Sequence, residues 1–312
     1  MNLNFSITFD CTMIINKFKR LLEWNQWFIA YNFHNEEGKI DFTKFKTLIP
    51  SPDIFWADPF LFNYKDKNYI FFEEYDYVST KGHISCFEVD KNGNQIYFPK
   101  ILCDDFHLAY PQVFRNGDNI FMIPDSRNGV NLYSCKRFPD KWRFEKKLLD
   151  IACSDSTIFQ SNQKFWLFTN AYSSKSGINN KLTIFHSNSL DENFIQYEGE
   201  IVVDNMFNSR SAGSIFKIGN NFFRPTQENQ RNYGEAINLN LIKSIGSKKY
   251  EEKFIGRIKP IWMTNIDRTH TFNYSKSMSV IDGRIRRVNW KRIFHWRKIL
   301  SKSDIYAKIV NK

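Results

Sequence analysis

A gapless internal repeat constrains this chain more than any single motif. Four six-residue segments align on their last residue: "ADPFLF" ending at Phe62, "AYPQVF" at Phe114, "SDSTIF" at Phe159 and "SAGSIF" at Phe216, with steps of 52, 45 and 57 residues. Each is followed by a polar turn ("NYKDKN", "RNGDN", "QSNQK", "KIGNN") and a second apolar run ("YIFFEEYD", "IFMIPDS", "FWLFTNA", "FFRPTQE"). Apolar runs joined by Asn, Gly and Asp turns read as β-hairpins. A looser fifth unit, "RTHTFNYS" then "KSMSVIDGRI", puts Tyr274 in the same column, 58 residues after Phe216. Further strands lie between the hairpins in "HISCFEVD", "GVNLYSCKRF" and "KLTIFHSNSL". Three to four strands per unit of 45–58 residues is the content of one propeller blade. The expected fold is therefore all-β: a five-bladed β-propeller over residues 27–283, with short helical N- and C-terminal extensions at 1–26 and 284–312. A β-sandwich with similar hairpins would leave the shared columns unexplained.

The columns also place chemistry. Four residues before the aligned aromatic stand Asp58, Tyr110, Asp155, Ala212 and His270; eleven residues after it stand Glu73, Asp125, Asn170 and Gln227. The first strand of a blade lines the propeller axis, and a hairpin returns its second strand to the same end. Both columns are thus expected at one rim, and a ring of carboxylates, amides, a tyrosine and a histidine there is a pocket signature. Paired carboxylates facing a sugar are the equipment of glycosidic-bond chemistry, and confinement raises their pKa values in favour of acid–base work. Asp58, Asp155 and Glu73 are the catalytic candidates. Trp56, Glu74, Tyr110, Asp125, Asn170, Gln227 and His270 are the sugar-binding candidates. Arg210 and Arg224 add planar forks suited to phosphate, which favours a nucleotide-sugar or phospho-sugar donor as substrate, with no cofactor. Each residue also has a structural reading. "DP" at a strand start is ordinary turn chemistry, rim polar groups cap strand ends, and either arginine could pair with a rim acid such as Asp125 or Glu228.

The five cysteines are odd in number and form no C-x-x-C pair, and no Cys/His cluster has zinc spacing. Reduced thiols and no metal are expected. No apolar run approaches the roughly 18 residues of a membrane span, and the N-terminus lacks the order of a secretory signal. The expected location is cytoplasmic. The charge is uneven: ten Lys and Arg against Asp304 give residues 284–312 a net 10 − 1 = +9, leaving 11 − 9 = +2 for residues 1–283. Ile14, Phe18, Leu21 and Leu22 share one helical face, as do Trp290, Ile293, Phe294 and Leu300 in the basic tail. Such helices suit either a peripheral seat on the inner face of a membrane or packing on the propeller. No nucleic-acid motif accompanies the charge.

The inner column resembles that of the five-bladed arabinanase, invertase and levansucrase group of glycoside hydrolases. That resemblance implies an Asp on the first blade as base or nucleophile and, in the arabinanase branch, an Asp on the third that tunes pKa, a Glu on the fourth as acid, and often a His near the axis. Asp58, Asp155 and His270 match by blade, whereas "RSAGSIF" offers Arg210, Ser211 and Ala212 where the glutamate belongs. Over roughly Trp27 to Asp282 the blocks "FWADPF", "YIFFEEYD", "KGHISCFEVD", "YPQVF", "RSAGSIF" and "RPTQ" resemble more closely the N-terminal propeller of plant glucosamine inositolphosphorylceramide transferases and its bacterial stand-alone relatives. This implies a part in making glycolipids or surface polysaccharides; in the plant proteins a separate C-terminal domain carries the transferase fold. Three functions follow as expectations. The first is a glycosyltransferase using an activated sugar and a glycan or lipid-linked acceptor. The second is a glycoside hydrolase with a displaced acid, Glu73 or Glu228. The third is a non-catalytic glycan-binding propeller serving a partner transferase.

Overall fold

The computed structural model describes residues 23–171, 181–203, 205–246 and 248–288. Two compact units divide the chain: residues 27–285, and the two ends, 1–26 with 286–312. The amphipathic segments expected near residues 14–22 and 290–300 lie outside the described residues. No described helix is long and apolar enough to cross a membrane.

Residues 27–285 form the propeller. Blade one is β3 (Ile54–Tyr64), β4 (Lys67–Asp76), β5 (Lys81–Val89) and β6 (Gln95–Leu102), paired in that order. Blade two is β7 (Ala109–Asn116), β8 (Asn119–Asp125), β9 (Val130–Arg137) and β10 (Lys141–Leu149). Blade three runs β11 (Cys153–Ser161), β12 (Lys164–Ala171), β13 (Thr183–Ser187) and β14 (Ile195–Gln196). Blade four is ordered β16 (Phe216–Ile218), β17 (Asn221–Glu228), β18 (Ala236–Ile245), β19 (Lys249–Ile258), with β15 (Glu200–Val202) added in parallel outside β19. Blade five is built from both parts of the chain. β20 (Ile266–Arg268) and β21 (Phe272–Tyr274) pair with β22 (Met278–Val288), which neighbours β1 (Glu23–Phe33), and β1 pairs with β2 (Lys46–Leu48). Building this blade from early and late strands ties both parts of the chain into one sheet and closes the ring.

The aligned aromatics hold one structural place. Phe62 pairs with Tyr69, Phe114 with Phe121, Phe159 with Trp166 and Phe216 with Phe223, so each first hairpin closes with the same seven-residue offset. Cross-strand aromatic pairs of this kind are among the stronger sheet contacts. In blade five Tyr274 pairs with Ser279, an offset two residues shorter.

Polar side chains join the innermost strands across blades. The Gln112 side chain donates to Ile158 O (2.9 Å) and accepts from Ile158 N (2.7 Å), joining blades two and three. Asn273 of blade five donates to Pro59 O (2.8 Å) in blade one and accepts from Ser214 N (2.8 Å) at the start of blade four. Between the sheets the core is aromatic and aliphatic, with Phe60, Phe71, Phe72, Phe168 and Phe272 among the largest fully buried side chains. Of the described cysteines, Cys86 and Cys153 are buried, Cys135 is half-buried and Cys103 exposed, all as free thiols.

Candidate active site

The first polar column is a column of β-bulges. The strand register slips between Ala57 and Phe60, between Ala109 and Gln112, and between Ser154 and Thr157. Inside each slip one residue is left-handed: Asp58 (φ 51°), Tyr110 (φ 47°) and Asp155 (φ 49°). Bulges re-aim side chains and cluster beside active sites. Aspartate enters the left-handed region more readily than most residues, because its short carboxylate bonds locally. In blade four Gly213 (φ 136°) stands at the slip, where a Cβ would come within 2.2 Å of Phe272 O.

Both left-handed aspartates are held by a carboxylate of the preceding blade. Asp58 N donates to Asp282 Oδ2 at 3.3 Å, and Asp155 N donates to Asp125 Oδ2 at 3.4 Å. Asp282, fully buried, also accepts from His270 N (2.8 Å) and Thr271 N (3.0 Å), and its Oδ2 lies 2.5 Å from His270 Nδ1. The other side of the imidazole faces Asp58, with Nε2 at 3.7 Å from Oδ1, and Thr271 Oγ1 donates to that same oxygen at 2.7 Å. His270 stacks on Trp27 (ring centroids 4.1 Å apart) and meets Tyr233 edge-on at 5.4 Å. Asp58, His270 and Asp282 each offer one donor atom within 4.8 Å of the others. This is a spacing that would suit a cation, although here the imidazole itself sits between the two carboxylates.

These residues open into a pocket of about 270 Å3, lined by Asp58, Glu73, Asp125, Asp155, Arg210 and His270 together with Arg127, His107 and the aromatic rings of Trp27, Phe55, Tyr75 and Tyr233. Arg210 bonds Asp155 through Nε and lies over the Tyr233 ring at 5.1 Å, and Gln227 Nε2 donates to Asp155 Oδ2 at 2.8 Å. Gly82 N donates to His107 Nδ1 (2.9 Å), so the His107 proton sits on Nε2, 3.2 Å from Glu73 Oε1. Gly82 permits that approach: a Cβ there would fall within 2.7 Å of His107 and 2.8 Å of Glu73 Oε1.

Burial sets the charge states. Asp58 is pushed up to about 6, chiefly by loss of water, with His270 opposing and Asp155 and Asp282 adding to the rise. Asp125 is pushed up to about 7 by burial and the Asp155 charge. Burial, then Asp58, Asp125 and Asp155, drive Glu73 well above the carboxylate range. His270 is raised: burial disfavours its charge, but Asp282 and Asp58 together outweigh that. His107 is lowered to about 4 by burial and by Arg127.

For Asp58, Glu73, Asp125 and His270 the folded state holds protons more tightly than the unfolded chain. Their stabilisation is present in full at acid pH and is lost as pH rises through the raised values. His107 acts oppositely, its share being lost as pH falls from about 6.5 towards 4. The melting temperature should therefore be lower at pH 8 than at pH 6. Glu73→Gln, which keeps the neutral shape, should raise stability at pH 8 and flatten that slope. Parallel thermal melts of the two proteins across pH 5–9 check this, and a Gln variant less stable at pH 8 would contradict it.

Of the twelve residues singled out from the sequence, six line the pocket: Asp58, Glu73, Asp125, Asp155, Arg210 and His270. Gln227 reaches it through Asp155. Tyr110 is fully buried; its hydroxyl accepts from Gly213 N at 2.6 Å and lies 3.0 Å from Thr157 Oγ1, which makes it an inter-blade tie. Asn170 is buried, donates to Lys181 O at 3.1 Å and does not line the pocket. Trp56 and Glu74 alternate with Ala57 and Glu73 and so face away. Trp56 Nε1 donates to Glu74 Oε2 (2.8 Å), whose carboxylate also bonds Tyr97 and His83. Arg224 pairs with Glu252 (2.8 and 2.9 Å), without solvent exposure and outside the pocket lining. Glu228 is bound by Arg257 at 2.8 Å. Residues that the columns do not single out, Tyr75, His107, Arg127, Tyr233 and Asp282, complete the site. Asp282 follows Tyr274 by eight residues rather than eleven; the blade-five hairpin, two residues shorter, accounts for two of those three.

Solved structures confirm the architecture at low identity. RS223 β-xylosidase superposes with a TM-score of 0.56 at 11% identity, over 74% of this chain and 93% of that one. An exo-1,5-α-L-arabinanase from a bovine ruminal metagenomic library gives 0.52 at 10% identity, over 73% and 93%. At this identity the likeness is one of fold alone. Curated relatives are named glucosamine inositolphosphorylceramide transferase 1. The Oryza sativa subsp. japonica protein is 30% identical over 208 residues, 64% of this chain and 28% of the relative. The Arabidopsis thaliana protein is 28% identical over 276 residues, 83% of this chain and 35% of the relative. The chain thus spans about a third of the length of these relatives. The model of the family described as glucosamine inositolphosphorylceramide transferase 1, N-terminal, matches residues 45–272, and to that family this chain belongs.

Proposed function

We propose that the protein is a glycosyltransferase of glycolipid or surface-polysaccharide assembly, whose axial pocket binds the sugar of an activated, phosphate-bearing donor. The observation that carries this reading is the make-up of the pocket: buried carboxylates of blades one to three, with a buried arginine, Arg210, as the blade-four charge. The family relatives, named as transferases, support it. Asp58, titrating near 6, is the base or nucleophile, since a catalytic group works best with a pKa close to the working pH. Asp155, tied to Arg210 and Gln227, orients the sugar. Arg210 and Arg127, both in the lining, receive the donor phosphate, and His270 holds the sugar beside Asp58. Arg224 is committed to Glu252 and has no part in this reading. The acceptor is a glycan or lipid-linked sugar, and the basic C-terminal tail provides the membrane contact.

A panel of nucleotide sugars and phospho-sugars in thermal shift and calorimetry tests this. One donor class should stabilise the wild-type protein. Arg210→Ala should weaken its binding tenfold or more. Asp58→Asn should retain donor binding but lose transfer by roughly 100-fold or more, the usual range for a positioned acid or base. No stabilisation by any donor would sink the proposal. Sugar release from aryl glycosides by water alone, lost in Asp58→Asn, would identify a hydrolase instead. The raised Glu73 pKa, driven by burial and by Asp58, Asp125 and Asp155, specifically favours that second reading, because a general acid is a carboxyl whose surroundings make it hold its proton more tightly.

A further inference from the structure

A pocket of about 270 Å3 lies just under the roughly 300–1,000 Å3 of sites for drug-sized ligands, so it has room for one sugar ring and not for two. An oligosaccharide engaging it must lay its next ring on the surface outside. The pocket lip is not uniform in what it offers there. On blade one, Phe55 and Tyr75 are direct cross-strand partners, stacked at 4.7 Å with ring planes 7° apart, and both line the pocket. Tyr77 continues the strip beyond the lining, edge-on to Phe55 at 5.6 Å and to Tyr75 at 5.7 Å. All three residues are half-buried, so part of each stays exposed on the same lip as a floor of carboxylates.

The strip is held rigidly. Tyr77 N donates to Asp53 O (3.2 Å), and Asp76 Oδ1 caps the following turn through Val78 N (2.6 Å) and Ser79 N (3.2 Å). Tyr75 also packs against His107, in the connection from blade one to blade two, at 5.8 Å. A preorganised surface binds without the cost of ordering it. Aromatic rings present flat apolar surface, with a hydroxyl at the edge in tyrosine; a sugar ring presents the complement, a face of C–H groups bordered by hydroxyls.

We infer that Phe55, Tyr75 and Tyr77 form an outer subsite that stacks the acceptor's sugar ring while the transferred sugar fills the axial pocket, so that an oligosaccharide product binds with its first ring in the pocket and its second on the strip. The inference rests on the proposed function for the pocket, and it assigns the acceptor chain to the blade-one side of the mouth. A lipid chain is the competing occupant of any apolar strip. The interleaved polar groups Asp76 and His107, and the contact of Tyr75 with the sugar pocket, favour a glycan.

The test is a glycan array carrying mono- to hexasaccharides of hexoses, pentoses and hexosamines, probed with wild-type protein, Tyr77→Ala, Tyr75→Ala and Tyr77→Phe, each first shown to be folded by its thermal melt. Wild-type binding should strengthen from mono- to disaccharide and longer. Tyr77→Ala should erase that gain, about tenfold, while monosaccharide binding and donor thermal shift stay unchanged; Tyr77→Phe should restore it. The proposal is overturned if binding shows no length dependence, or if both alanine variants keep it. Binding to phosphatidylcholine vesicles that disappears in Tyr77→Ala while array binding does not would assign the strip to lipid instead. Loss of the donor shift in the wild-type protein would count against the proposed function, separately from the array result.

Discussion

Arg224→Ala is expected to lower stability by about 3–5 kcal/mol, because it removes one partner of a fully buried ion pair. The guanidinium bonds Glu252 twice, donates to Asn208 O and lies over the Phe168 ring at 5.8 Å. Without it, Glu252 keeps the Tyr250 hydroxyl (2.7 Å) but has no countercharge in a site closed to water. At roughly 2–4 °C per kcal/mol for a domain of this size, the loss is on the order of 10 °C in melting temperature. Arg224→Met with Glu252→Leu removes both charges and should recover most of it, since a buried pair replaced by apolar groups is often neutral. Thermal and urea unfolding of the three proteins decide. A stable Arg224→Ala protein that no longer binds donor would return this arginine to the pocket.

Asp282→Ala is the second large effect. It strips a hydrogen-bond acceptor from three buried backbone N–H groups, those of Asp58, His270 and Thr271, and the acidic neighbour from His270 Nδ1. A buried unsatisfied group costs about 1–3 kcal/mol, so a total of about 3 kcal/mol or more is expected, together with loss of any activity that depends on Asp58. Asp282→Asn separates the two roles. It keeps an acceptor for the backbone but removes the charge that helps to raise His270. The folded His270 pKa should then drop. The stability that His270 contributes below its unfolded value would be lost at a lower pH than in the wild-type protein. Nitrogen-15 NMR titration of the histidines reads this directly, and an unchanged His270 titration in a folded Asn variant would rule out the positioning role.

Much of the fold was legible because the repeat is a packing requirement. Blades one to four each carry an aromatic pair at the same hairpin position, so Phe62, Phe114, Phe159 and Phe216 recur in register and carry the polar columns with them. The site was half legible for the same reason. Asp58, Asp155, Glu73 and Asp125 lie at fixed offsets from that pair, and Arg210 and His270 lie close to the same register.

Residues that misled did so through strand alternation or partner choice. Trp56 and Glu74 stand one position from Ala57 and Glu73, and a pleated strand turns adjacent side chains to opposite faces. Arg224 and Arg210 are equally basic in sequence; only the fold brings Glu252 to one and Asp155 to the other. Tyr110 shares the bulge of the two aspartates, yet its longer side chain reaches Gly213 and Thr157 and ties blades together.

By itself the sequence determined the blade count, the hairpin register and the rim at which carboxylates collect, because these follow from local periodicity and turn chemistry repeated along the chain. Only the tertiary structure decided which rim residues share the pocket, which acid each arginine meets, and that Asp282 holds both Asp58 and His270. The contacts of Asp58 with Asp282 and Thr271, and of Arg210 with Asp155, join blades across 55 to 224 residues, where no offset within a blade carries information about the neighbour.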